Sequence, residues 1–202
     1  ELRLQNTRVF DAVPGFLPDF SGINPSHDLV FTWNGTTTGV SIPNGNWISS
    51  DRKGLVICDA TSSLFAIPFP WEKMDAVAFS WQKALGGEAA HGMLVLSPRA
   101  IDRLNSYIPS WPVPRIFRLA HEGKFSKEIF EGMTVNTPSL LCIEDCIDAL
   151  SWCISLGSLP FLIARSQANL KVVEEWVAET PWIDFVAQNP RYRSSTSICL
   201  RF

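Results

Sequence analysis

The 202 residues, 46% hydrophobic and 18% charged, suffice for one sizeable core, or for one domain and part of another. A net charge of −3 gives no electrostatic reason to bind nucleic acid or an anionic membrane, so neither partner is expected. No apolar run approaches the roughly eighteen residues of a membrane span, and no signal-peptide pattern opens the sequence.

In chain order, four short runs read as strands: "LVFTW" (29–33), "LVICDA" (55–60), "AVAFS" (76–80) and "MLVLS" (93–97). All are apolar on both parities, which predicts strands buried on both faces of an α/β sheet. Asn44-Gly45 marks a turn between the first two. Ser97-Pro98 is a helix start, with a capping hydroxyl followed by proline at the first helical position. Residues 108–117 carry three prolines and predict a loop. Apolar side chains at 142, 143, 146, 147, 150, 153 and 154 form a helical stripe closed by Gly157. Ser158 is expected to cap a further helix to about Glu179, stopped by Thr180-Pro181. "STSICLRF" alternates like a strand up to Phe202. Opening on Glu1 and closing inside such a strand, the chain reads as a piece of a longer protein. A change of character near Gly157 divides it into 1–157, sheet and crossover, and 158–202, the beginning of a smaller α+β unit.

The five cysteines, Cys58, Cys142, Cys146, Cys153 and Cys199, are odd in number and mostly set in apolar pattern, which favours reduced core thiols over a disulfide framework, so a cytoplasmic location is expected. Cys142 and Cys146 share a helix face, but no histidine or carboxylate spacing completes a metal site, so none is expected.

The chemistry concentrates in "FSWQKALGGEAAHGMLVLS". Lys83 follows the end of a predicted buried strand, where ligands of open α/β sheets collect, and Gly86-Gly87 allow close backbone approach. A solvated surface charge is the plainer alternative. Asp59 ends "LVICDA" at the same edge, where a carboxylate is more comfortable with a cationic partner; a turn cap assisted by Thr61 and Ser62 is its alternative. An acid and a lysine so placed fit pyridoxal phosphate. The lysine binds the cofactor aldehyde and later serves as general base, and the carboxylate keeps the pyridine nitrogen protonated. Gly86, Gly87 and Gly92 lack dinucleotide-fingerprint spacing. His91 reads as a structural loop histidine.

"TWNGTTTGVSIPNGNW", "ICDATSSLFA", "FSWQKALGGEAAHGMLVLSPRA" and "TVNTPSLLCIEDCIDAL" together resemble the phosphoserine aminotransferases, in the branch found in alphaproteobacteria and methanogens. The resemblance implies a fold type I pyridoxal-phosphate transferase: an α/β large domain, here residues 1–157 without its first portion, and the start of a small domain in 158–202. It implies a homodimer exchanging an amino group between glutamate and 3-phosphohydroxypyruvate, giving phosphoserine and 2-oxoglutarate in serine biosynthesis. Lys83 then matches the Schiff-base lysine and Asp59 the partner of the pyridine nitrogen. Thr36 matches a threonine that hydrogen-bonds the cofactor ring, and Thr61 and Gln82 match residues around the ring and phosphate. Asn136 and Thr137 match a pair reaching the neighbouring subunit's cofactor phosphate, although before Pro138 they also make a good helix start. The family's first phosphate-binding loop, its ring-stacking aromatic and its substrate-carboxylate arginine fall outside this chain, and neither Arg191 nor Arg193 is assigned such a role. The 202 residues alone are therefore expected to be inactive. Two alternatives stand: a related alanine- or serine-glyoxylate-type aminotransferase, and a non-catalytic chain keeping only packing and dimer surfaces.

Overall fold

Four short apolar runs pair side by side in the computed structural model, which describes residue 4 and residues 6–202. The first is β1 (Leu29–Thr32), followed by a small hairpin of β2 (Asn34–Gly35) and β3 (Val40–Ser41). Next come β4 (Val56–Asp59), β5 (Ala76–Phe79) and β6 (Met93–Leu96), giving a sheet of order β1-β4-β5-β6. Strands β1, β4 and β5 are parallel, and β6 is antiparallel to β5. The carboxyl ends of the three parallel strands and the amino end of β6 therefore share one edge.

Alternation sends Val56, Cys58 and Val77 to one face, where they and Trp33 are at most 2% exposed. The connections supply Ile42, Ile48, Leu64 and Met74 to this core. Phe20 stacks on Trp47 at 4.2 Å, and Phe69 meets Trp33 edge-on at 5.0 Å. Each such side chain contributes roughly 1.5–3 kcal/mol on burial. The opposite face is different: Val30 is 72% exposed and Ala78 is exposed. Burial on both faces, expected from the apolar runs, is not what the described residues show. The reason lies in the connections: residues 42–55 and 60–75 contain no α-helix, and both fold onto the Val56–Val77 face.

At the amino-end edge sits Asp75, 2% exposed. Its carboxylate accepts from Val56 N–H (2.9 Å), the Ser97 hydroxyl (3.0 Å), Arg52 (3.3 Å) and Arg99 (3.5 Å). One side chain thus fixes where β4, β5 and the next helix begin.

That helix, α1 (Pro98–Ser106), starts as its sequence predicts, the Ser97 hydroxyl accepting Ala100 N–H at 3.2 Å. The proline-rich stretch is irregular apart from a short 3-10 turn at Arg115–Phe117. A hairpin of β7 (Ala120–His121) and β8 (Lys124–Phe125) leads on to α2 (Leu140–Ser155) and α3 (Ser158–Ala178). Gly157 ends α2 at φ 108°, a conformation that favours glycine. The same residue occupies the N-cap position of α3 without a side-chain cap, so Ser158 does not cap; it lies inside α3 at φ 62°. Because α3 leaves α2 at 89°, only part of the α2 stripe is covered. Cys142 and Cys153 are buried, whereas Ile147, Leu150 and Ile154 remain 38–70% exposed.

The closing segment forms much less strand than its alternation predicts: β9 (Asp184–Phe185) pairs with β10 (Leu200–Arg201). The Ser194 hydroxyl instead accepts the backbone N–H groups of Thr196 (3.1 Å) and Ser197 (2.9 Å), closing a local turn in place of a ladder. All five cysteines are free thiols, as read from their number and setting. Among the described residues no single helix is long and apolar enough to cross a membrane.

Candidate active site at the carboxyl edge of the sheet

In-register pairing aligns Thr32, Asp59 and Ala78 across β1, β4 and β5. Asp59 therefore closes β4 on the face opposite the buried Cys58, beside the small side chain of Ala78. Thr61 binds one carboxylate oxygen twice, Oδ1 accepting from its N–H at 2.9 Å and from its hydroxyl at 2.6 Å. The turn-cap reading of Asp59 is thus realised by one oxygen. Among the described residues the second, Oδ2, accepts no hydrogen bond.

Lys83 follows β5 in a bent loop, exposed, with no salt bridge among the described residues. Two backbone bonds shape this loop: Gly86 N–H donates to Lys83 C=O at 3.0 Å, and Gly87 N–H to Trp81 C=O at 3.1 Å. An added Cβ on Gly87 would run into the Trp81 ring, which accounts for glycine there. Trp81 is 7% exposed and stacks on His91 with 5.2 Å between centroids and 19° between planes. Ser80 Oγ, Trp81 Nε1, Gln82 Oε1 and His91 Nδ1 are all enclosed in this one loop without a protein partner among the described residues. Such groups are costly unless something polar meets them.

Thr36 lies exposed in the turn between β2 and β3, its carbonyl accepting the Cys199 thiol at 3.6 Å. The turn is anchored by Asn34, a residue that sequence reasoning passed over. Buried, it donates through Nδ2 to Ser62 Oγ (2.9 Å), Thr196 Oγ1 (3.2 Å) and Ser197 Oγ (3.5 Å). Thr196 in turn donates to Ser62 C=O at 2.6 Å. These bonds lash together the turns carrying Thr36 and Thr61. The run of hydroxyls in "SSTS" was the available signal for them. Asn136 and Thr137 are exposed just ahead of α2, whose cap residue Ser139 donates its N–H to His91 Nε2 at 3.1 Å. Arg193 is spent on structure, pairing with Glu174 at 2.8 Å and lying over the Phe185 ring at 3.9 Å. A concavity of about 540 Å3 beside Leu17, Phe20, Trp47 and Tyr192 contains none of the predicted site residues.

Positions at or just past this edge thus carry, among the described residues, an acid with one free oxygen, a lysine without an ion pair and two hydroxyl-bearing turns. The chain has the type I fold of pyridoxal-phosphate-dependent aminotransferases, as the resemblance implied. The phosphoserine aminotransferase of Cytophaga hutchinsonii superposes with a TM-score of 0.73 at 21% identity, over 91% of this chain and 52% of that one. A pyridoxal-phosphate-bound phosphoserine aminotransferase from Trichomonas vaginalis gives 0.62 at 18% identity, over 83% of this chain and 42% of that one. By sequence the chain is similar, over its full length and at 55% identity, to the phosphoserine aminotransferase of Methanosarcina mazei. It spans about half of that relative, 54% of its length. No family model matches the chain.

Proposed function

We propose that this chain is part of a phosphoserine aminotransferase, exchanging an amino group between glutamate and 3-phosphohydroxypyruvate in serine biosynthesis. The protein works as a cytoplasmic homodimer, and its 202 residues alone lack activity. The observation that carries the reading is the pair Asp59 and Lys83, the first closing β4 and the second following the carboxyl end of its parallel neighbour β5. The 55% identity to the Methanosarcina protein supports the choice of phosphoserine. A division at Gly157 into large-domain and small-domain parts draws support from the 89° turn between α2 and α3.

The residues fit pyridoxal phosphate on two observations. Asp59 keeps an oxygen free while Thr61 fixes the other, and Lys83 carries no competing ion pair among the described residues. When bound, this cofactor supplies an aldehyde for amine exchange and a ring that withdraws electrons from the substrate Cα. Asp59 would hold a proton on the ring nitrogen through Oδ2. Lys83 would tether the cofactor and, once displaced by substrate, carry a proton to and from the substrate Cα. Thr36, Thr61 and Gln82 would orient the ring and phosphate from the adjoining turns. Asn136 and Thr137 would meet the cofactor phosphate in the partner subunit.

Borohydride reduction of the full-length protein loaded with pyridoxal phosphate, followed by peptide mapping, should place the label on Lys83. A label on any other residue overturns the assignment. Comparing turnover of phosphorylated and unphosphorylated hydroxypyruvate tests the substrate, and equal rates would favour the glyoxylate-type alternative.

A further inference from the structure

His91 is not among the residues assigned above, yet it joins two of the segments that carry them. We infer that His91 is a positioning residue, tying the loop that bears Lys83 to the segment that bears Asn136 and Thr137. The inference rests on the aminotransferase reading for what those segments hold, and on geometry for the tie itself.

The ring is fixed from two sides. One face stacks on Trp81, two residues before Lys83. Its Nε2 accepts the Ser139 N–H at 3.1 Å across 48 residues of sequence. An accepting Nε2 is unprotonated, so the neutral ring carries its proton on Nδ1, the tautomer this bond selects. Ser139 has already used its hydroxyl to cap α2, accepting from Cys142 N–H at 3.5 Å. Its own N–H lies outside the helix ladder and needs another acceptor. His91 supplies that acceptor, which places the start of α2 and the Asn-Thr pair just before it relative to the lysine loop. If that pair serves the partner's cofactor while Lys83 serves its own, His91 stands between the two sites of a dimer.

Two substitutions separate the tie from bulk packing. His91→Phe keeps a flat ring on Trp81 and removes the acceptor; His91→Gln restores an acceptor near the Nε2 position. In the cofactor-free full-length protein, amide exchange over residues 134–141 should speed up in H91F and return towards wild type in H91Q. Affinity for pyridoxal phosphate, titrated by its absorbance, should fall about 3- to 10-fold in H91F, as for one lost hydrogen bond, and recover in H91Q. Unchanged exchange in H91F overturns the inference, as does failure of H91Q to recover. Faster exchange with unaltered cofactor affinity leaves the contact intact but overturns its positioning role. A wild-type protein that takes up no pyridoxal phosphate instead fails the underlying reading, a result visible before any variant is made.

Discussion

Replacing Asp75 by asparagine tests whether the amino-end edge of the sheet is the mechanical anchor of the site. The carboxylate is 2% exposed and meets two guanidinium groups, a backbone N–H and a hydroxyl. In D75N the charge is lost, and an amide NH2 replaces one acceptor oxygen; of the four groups around it, only the Ser97 hydroxyl can accept from that NH2. Arg52, whose side chain is only 12% exposed, is stranded. Breaking a buried pair from one side costs about 3–5 kcal/mol; Arg99, at 42% exposure, adds little to that. Urea unfolding of the full-length protein, followed by tryptophan fluorescence, should show the midpoint lowered by about 1 M or more at an unchanged slope. Adding Arg52→Met to the same variant should return part of the loss, since the stranded charge goes with it. A midpoint within about 0.2 M of wild type, well below what these magnitudes require, would refute the reasoning.

Two further outcomes follow from the carboxyl edge. Asp59→Ala should lower transamination by on the order of 10²–10³, the usual cost of removing one preorganised electrostatic partner, with little change in melting temperature because the residue is exposed. Near-wild-type turnover in D59A would contradict its role. Cys58, next to it, is fully buried, and its thiol is pushed up from 9.0 to about 12, first by burial and then by the Asp59 carboxylate. The fold favours the protonated thiol, so this contribution to stability is complete below about pH 9 and is lost as pH rises towards 12. At pH 8 an alkylating reagent should spare Cys58 in the native protein and modify it in urea; equal labelling in both states would count against its burial.

What was legible in the sequence was local. The four strand runs, the Ser97-Pro98 cap and the Gly157 stop depend on neighbours within a turn, and all appear. Lys83 and Asp59 stood out because strand ends are countable. Asp75 did not, since Arg52 and Arg99 lie 23 and 24 residues away and nothing local pairs them. Asn34 and Thr196 are 162 residues apart, beyond any spacing rule. Which face of a strand is covered is likewise non-local: apolar residues on both parities permit double burial, but the connections decide whether it happens. Ser158 failed as a cap for a steric reason: the tight turn through Gly157 puts a left-handed residue where a capping side chain needs extended backbone.

The two edges of the sheet treat charge in opposite ways. At the amino edge a buried carboxylate is saturated with four partners and holds β4, β5 and α1 in place. Across the same two strands, Asp59 and Lys83 are left with an oxygen and an amine uncommitted among the described residues. A sheet optimised only for stability gains nothing from that asymmetry, because an unpaired acid and base on adjacent strand ends contribute less than a pair would. The asymmetry is useful when the groups must stay free for a ligand while the strands that present them cannot shift. The rigid edge fixes the distance between strands, Thr61 fixes the carboxylate on its strand, and Gly87 with Trp81 fixes the lysine loop. Preorganisation at one end of a strand is thereby obtained from charge satisfaction at the other.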